Sequence, residues 1–150
     1  MKKVFVTSVV CMILVVASVV MADDKAKAVA AVNAVAAYYD AHGKDATIAE
    51  LSKPAADNAF KEFAPLYVFA YGTNYKMVAH FKTKLIGRNY ENLPDVKGKK
   101  FRKEIVDTAV KNGEGWVDYW YKNPATGKLA EKTTYAKKVG DIIIACGVYK

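Results

Sequence analysis

The spacing of the hydrophobic residues changes at Pro65, and this change limits the folds open to the chain more than any other feature. Before Pro65 the hydrophobic residues recur every three to four positions, which is typical of helices. After it they alternate with polar residues in short runs bounded by turn residues, which is typical of strands. Helices followed by successive strands indicate an α+β domain with an antiparallel sheet and helices towards one side.

The first helix is predicted over residues 24–41, where alanine, the strongest helix former, dominates. Gly43 follows at the position of a C-terminal cap. One face of this helix carries Val29, Val32, Ala36 and Tyr39. This face either packs on the chain's own domain or forms the seam of a homodimer through residues 24–41.

Short helices are predicted over residues 45–64, with Thr47 as a cap and Pro54 in a first turn. A further helix is predicted over 101–111, after a polar loop over 82–100. The remaining hydrophobic runs predict five strands, and the last three of them are joined by tight turns. The strands are predicted over 66–71, 75–81, 116–121, 129–139 and 142–148.

The N-terminus has the pattern of an export signal. Lys2 and Lys3 precede the uncharged run 4–20, and Val20-Met21-Ala22 forms a cleavage sequence before Asp23. We therefore expect a signal peptide over residues 1–22, cut after Ala22, and a periplasmic or secreted protein. The alternative is an uncleaved membrane anchor, because the uncharged run is close to the roughly 17–25 residues that span a bilayer.

Export changes the meaning of the formal charge of +8 and of the two cysteines. One of the two cysteines lies in the signal segment, so Cys146 is left as a single thiol in an apolar strand. We expect it to be a packing residue. The densest basic run is predicted to be a solvated face rather than a nucleic-acid surface, because nucleic acid is not an expected partner of an exported protein. This run contains Lys97, Lys99, Lys100, Arg102 and Lys103.

Several short motifs together resemble a type-2 single Cache domain, an extracytoplasmic relative of PAS domains found in bacterial chemoreceptors and sensor kinases. The resemblance extends from Tyr67 to Tyr149. Its motifs are His80 near the end of the first strand pair, Leu85-Ile86-Gly87-Arg88-Asn89, Gly98-Lys99 with Phe101, Gly115-Trp116-Val117-Asp118-Tyr119, Asn123-Pro124, Lys132 with Tyr135, and Cys146-Gly147-Val148-Tyr149.

The resemblance implies a PAS-like Cache fold, in which a five-stranded antiparallel sheet is accompanied by a long N-terminal helix and short flanking helices. The expected division is a signal peptide over 1–22, the long helix over 23–44 and a single Cache domain over 45–150. Receptors of this family continue into a transmembrane span after the last tyrosine, whereas this chain ends at Lys150. We therefore expect a free-standing exported module.

The sequence predicts a binding site rather than a catalytic one. It has no catalytic triad arrangement, metal-ligand cluster or phosphate-binding glycine loop, so we expect no enzyme activity, metal or cofactor. Tyrosines on alternating strand positions suit a pocket for a small polar ligand. The resemblance adds the histidine, the lysine and the last tyrosine of the predicted ligand-binding set, which is Tyr67, His80, Tyr119, Tyr121, Lys132 and Tyr135.

The leading hypothesis is an exported sensory module that recognises a small organic acid, since a lysine and tyrosine hydroxyls suit a carboxylate. It would act in signal transduction or chemotaxis through a membrane sensor kinase, chemoreceptor or transporter. The alternative is a protein-interaction subunit of an envelope complex that has no ligand. An enzyme that depends on His80 is the third hypothesis, and it has no substrate to support it.

Overall fold

The computed structural model describes the backbone of residues 7–150 and the side chains from residue 19 onward. The basic start at Lys2 and Lys3 lies outside the described residues, so cleavage after Ala22 stays a prediction. Within the described part of the chain, no helix combines the length and the apolar character needed to cross a membrane.

Helix α1 extends over Thr7–Leu51 and is interrupted at Gly43. Gly43 has φ 83° and ψ 175°, a backbone conformation that glycine adopts readily and other residues rarely do. The break lies where the sequence predicts the end of the first helix. The helix resumes beyond it, and Thr47 donates a hydrogen bond back to the Gly43 carbonyl (2.8 Å) instead of capping a new helix.

Five strands and a second helix follow, and they confirm the predicted α+β class. The sheet is antiparallel throughout, with the strand order β2-β1-β5-β4-β3. Turns and a short 3₁₀ helix over Lys61–Phe63 occupy most of the region beyond residue 51, where short helices were predicted. The elements are β1 Val68–Gly72, β2 Met77–Ala79, α2 Phe101–Asn112, β3 Glu114–Lys122, β4 Leu129–Val139 and β5 Ile142–Tyr149.

One face of the sheet is closed by α1. Ala28, Ala31, Val32 and Val35 are fully buried on the helix and pack with the aliphatic side chains of β5. Of the predicted face, Val32 is fully buried in this layer and Val29 and Tyr39 are partly buried against it, so the face packs on the chain's own sheet. A homodimer through residues 24–41 therefore stays a prediction, and it would have to use another face of the helix.

Cys146 belongs to this closed layer and has no accessible surface. Burial raises the pKa of its thiol to about 12, so the thiol stays protonated at neutral pH. These properties agree with the packing role expected from its apolar neighbours in the sequence.

The other face of the sheet carries α2 and the loop over residues 82–100. The loop is fastened to the edge strand β3 by Asp95, whose carboxylate accepts a hydrogen bond from the Trp120 backbone N–H (3.0 Å). Lys99 Nζ donates to the Asp118 carbonyl of the same strand (2.5 Å). These contacts satisfy polar groups of an exposed sheet edge and hold the loop across the end of the sheet.

Candidate ligand-binding site

A cavity of about 210 Å³ lies between the sheet, the start of α2 and the loop over 82–100. Its volume is below the 300–1,000 Å³ typical of sites for drug-sized ligands, so it suits a smaller molecule. Among the residues that the structure describes, the lining combines aromatic rings with basic side chains and includes no acidic residue. The aromatic residues are Tyr67, Phe69, Tyr71, Tyr90, Phe101, Tyr119 and Tyr121, and the basic ones are His80, Arg88, Arg102 and Lys132.

Lys132 is a charged residue buried in the cavity wall, with a relative exposure of 1%. Its Nζ donates a hydrogen bond to the Tyr67 hydroxyl (3.0 Å) and lies 4.9 Å from the centre of the Tyr149 ring. Burial lowers the pKa of the ammonium to about 8. Among the described residues Lys132 forms no ion pair with a carboxylate, so the Tyr67 hydrogen bond and the cation–π contacts only partly offset its desolvation.

Gly147 provides the space in which the Lys132 stem lies. It is paired with Thr134 across the β4–β5 ladder. A Cβ atom at position 147 would overlap with Lys132 Cε and Thr134 Oγ1. A glycine inside a strand often marks such a close approach. We therefore infer that position 147 is a glycine because the Lys132 side chain occupies the space of a Cβ atom, and not because the backbone there has an unusual conformation.

His80 lies in the cavity wall as an uncharged imidazole with one ring N–H that can donate a hydrogen bond. Its Nδ1 accepts a hydrogen bond from the Lys82 backbone N–H (2.8 Å), which places the ring proton on Nε2. Burial, with smaller contributions from the charges of Lys82 and Lys132, lowers the pKa of the imidazole to about 4. The histidine therefore stays uncharged near neutral pH and suits donating a hydrogen bond to an anion.

The tyrosines of the cavity are held in place by packing. The Tyr119 ring stacks on Phe101 with 3.9 Å between centres, and its hydroxyl is hydrogen-bonded to Thr134 (2.8 Å). Burial raises the pKa values of Tyr67, Tyr71 and Tyr119, so their hydroxyls stay protonated and can donate. Tyr121 is half-buried and also lines the cavity.

Tyr135 does not join the other predicted site residues. It lies on the opposite face of the sheet, where its ring is 5.4 Å from that of Trp116 in the layer covered by α1. Successive strand residues point to opposite faces, so Lys132 and Tyr135, three positions apart on β4, cannot both reach the cavity. Tyr135 therefore does not line this cavity. The structure brings the other five predicted residues together: Tyr67, His80, Tyr119, Tyr121 and Lys132.

The sequence-based set missed two arginines. Arg88 comes from the loop and Arg102 from the second position of α2, and both line the cavity. The expectation of a solvated face holds for Lys97 and Lys100, which are exposed. Lys99, Arg102 and Lys103 are half-buried, and of these three Arg102 lines the cavity. The type of residue was the available signal, since the basic run is otherwise made of lysine.

The arrangement defines an α+β binding module with a cationic, aromatic cavity. Residues 20–150 match the sequence profile of the family described as Single Cache domain 2, and the chain belongs to this family. The match begins inside α1, so it includes most of the long helix as well as the sheet. No sequence among curated proteins matches the chain significantly.

Solved structures share the fold at low sequence identity. One is described as the periplasmic sensor domain of a chemotaxis protein, with a TM-score of 0.63, 20% identity and coverage of 88% of this chain and 93% of that one. A methyl-accepting chemotaxis protein from Vibrio parahaemolyticus has a TM-score of 0.68 and 22% identity, covering 88% and 92%. A third, titled as the structural basis for carboxylic acid recognition by a Cache chemosensory domain, has a TM-score of 0.59 and 18% identity, covering 92% and 95%.

Proposed function

We propose that the protein is an exported sensory module that binds a small organic acid in the cavity described above. The observation that carries the proposal is Lys132, a buried ammonium that has no carboxylate partner among the described residues. An uncompensated buried charge is costly, and a ligand carboxylate would supply the missing counter-charge.

The surrounding donors suit a carboxylate. The Tyr67 hydroxyl lies 3.0 Å from the ammonium, and His80 has its Nε2 proton available. Hydrogen bonds between charged groups and such donors are shorter and stronger than neutral ones. A carboxylate bound by Lys132 would therefore find further donors in the same wall of the cavity.

The affinity that such a site can reach is limited by the size of the ligand. An acid of six heavy atoms, at about −1.5 kcal/mol per atom, reaches at most roughly −9 kcal/mol. Micromolar binding requires about −8.2 kcal/mol. We expect dissociation constants of tens of micromolar or weaker, unless nearly every atom of the ligand is contacted.

A membrane partner would read the bound state. Two of the similar structures are described as chemotaxis proteins or their sensor domains, which supports a chemoreceptor partner, with a sensor kinase or a transporter as the other classes. We propose that α1 transmits the signal, because it packs directly on β5, the strand that contains Gly147. Ligand contacts at Lys132 would reach the helix through this one layer.

The test is isothermal titration of the purified protein with a panel of two- to six-carbon organic acids at pH 7. We expect at least one acid to bind, and Lys132→Met to weaken its binding by about 10- to 100-fold, because a hydrogen bond to a charged group contributes roughly 1.5–3 kcal/mol. Tyr135→Phe, on the opposite face, is the control and should bind as the wild type does.

Two results would contradict the proposal. The first is the absence of binding by every acid in the panel, which would favour an interaction subunit without a ligand. The second is binding that Lys132→Met leaves unchanged, which would place the acid outside this cavity.

A further inference from the structure

Arginine is rare in this chain and is placed in one region. Of the 23 lysine and arginine residues, two are arginines, Arg88 and Arg102. Both line the cavity. Lysine provides a single charged point, whereas the planar guanidinium presents a rigid fork that fits a carboxylate with two parallel hydrogen bonds. The residue with carboxylate-matching geometry is therefore found at the cavity, while lysine supplies the rest of the basic surface.

Aromatic rings hold the Arg102 side chain. Its Cζ lies 4.1 Å from the centre of the Phe101 ring and 4.7 Å from that of Tyr90. Arg88 Cζ lies 5.7 Å from the same Tyr90 ring. Within the described part of the chain, neither arginine forms an ion pair with an aspartate or glutamate. Both guanidinium groups therefore lie beside aromatic rings, and their charge is left without a carboxylate.

The Tyr121 ring lies near both Lys132 and Arg102, the cations at the two ends of the cavity. Its centre is 5.8 Å from Lys132 Nζ and 5.7 Å from Arg102 Cζ, so the two cations are separated by no more than the sum of these distances. A four-carbon dicarboxylate whose two ends each accept a hydrogen bond of about 3 Å bridges cations roughly 10 Å apart. The cavity is therefore short enough for one small molecule to contact both ends.

We propose that the ligand is a short dicarboxylate. One carboxylate is bound by Lys132 with Tyr67, and the second by the guanidinium of Arg102, with Arg88 at the exposed rim. This inference rests on the proposed function and specifies its ligand class. An acid with a single carboxylate would neutralise Lys132 and leave Arg102 without a counter-charge, since no described residue of the cavity lining is acidic.

The experiment compares three acids of the same chain length by isothermal titration at pH 7. Succinate has two carboxylates, succinamate replaces one with an uncharged amide, and butyrate replaces it with a methyl group. We expect succinate to bind at least tenfold more tightly than either of the others. Malonate and glutarate, titrated beside them, test the fit of the spacing.

The second arm uses Arg102→Met, which retains an apolar stem over the aromatic rings. We expect it to reduce the affinity for succinate to that of succinamate, while the affinity for succinamate stays as in the wild type. That unchanged value also shows that the cavity is still folded. Arg102→Lys should retain only part of the succinate preference, and Lys111→Met, on the same helix outside the cavity, should retain all of it.

The outcomes separate the two proposals. If butyrate and succinamate bind as tightly as succinate, and Lys132→Met weakens all three, the dicarboxylate assignment is overturned and the proposed function stands. If succinate is preferred but Arg102→Met retains the preference, the assignment of Arg102 is overturned. If none of these acids and no acid of the wider panel binds, both proposals are overturned.

Discussion

The two faces of the sheet are made from the same strands and have opposite character. On the face covered by α1, the side chains are mainly aliphatic and fully buried, as at Ile142, Ile144 and Val35. On the other face, the strands present tyrosines and Lys132 around a cavity. The closed face has the composition that stabilises a fold, whereas the open face contains charges that burial penalises.

Strand alternation keeps the two tasks apart. On β5, Ile144 and Cys146 belong to the layer under α1, while Ala145 belongs to the other layer and Gly147 lies against Lys132. The side chains of the open face are small at these two positions, which leaves room for the long side chains of β4. We infer that stability and ligand binding respond to different residues, even where those residues are neighbours in sequence.

The largest expected effect comes from the closed face. Ile144→Ala should lower the free energy of unfolding by about 2–5 kcal/mol, because it removes buried methyl groups and leaves a cavity. Urea denaturation measures this loss, and the affinity of the folded variant for an organic acid should stay as in the wild type. A large loss of affinity under conditions in which the variant is still folded would show that the two faces are not independent.

Lys132→Met is the matched change on the open face, and its pattern should be reversed. The variant removes a buried charge that has no carboxylate partner, so we expect the unliganded protein to be at least as stable as the wild type. Its affinity for the acid should fall as described above. The pair of variants therefore separates the layer that holds the fold together from the layer that binds.

A smaller effect is expected at Gly147, where the two tasks meet. Gly147→Ala should lower the free energy of unfolding by about 1–3 kcal/mol, the usual cost of extra volume in a packed region. It should also weaken acid binding, because the new Cβ displaces the Lys132 stem. Thermal unfolding and titration measure both quantities. Unchanged affinity in Gly147→Ala would show that the glycine does not position the lysine.

The fold was largely predictable because its signals are local. Alternation and turn residues placed β4 at residues 129–139, as observed, and the other strands within a few residues of their bounds. The α1 break at Gly43 also follows from a local property, the backbone freedom of glycine. The helical segment between Gly43 and Leu51 lies where short helices were predicted, but beyond residue 51 turns and a 3₁₀ helix replace the second of them.

The site was less predictable because it depends on contacts between distant residues. The alternation of strand residues places Tyr135 and Lys132 on opposite faces of the sheet. Tyr135 was included in the predicted site only because of the family resemblance. Arg102 has the local pattern of an exposed helix start, and only the fold of the loop and sheet places it over Tyr90 and Tyr121. No spacing in the sequence encodes that approach.

The protonation state of Lys132 makes the stability of the protein depend on pH. Burial lowers its folded-state pKa to about 8, below the usual value near 10.4 in an unfolded chain. Folding therefore penalises the charged form, so this group destabilises the protein fully below pH 8, and the penalty is relieved as pH rises from about 8 towards 10.4. A bound carboxylate favours the charged form and should raise the pKa.

The most direct measurement is an NMR titration of the Lys132 side chain in protein with ¹³C-labelled lysine, assigned with Lys132→Met. We predict a pKa of about 8 without ligand and a clear upward shift when the protein is saturated with a bound acid. An ordinary lysine pKa near 10.4 without ligand, or a value that the bound acid leaves unchanged, would contradict the claim that Lys132 is a buried cation that binds the acid.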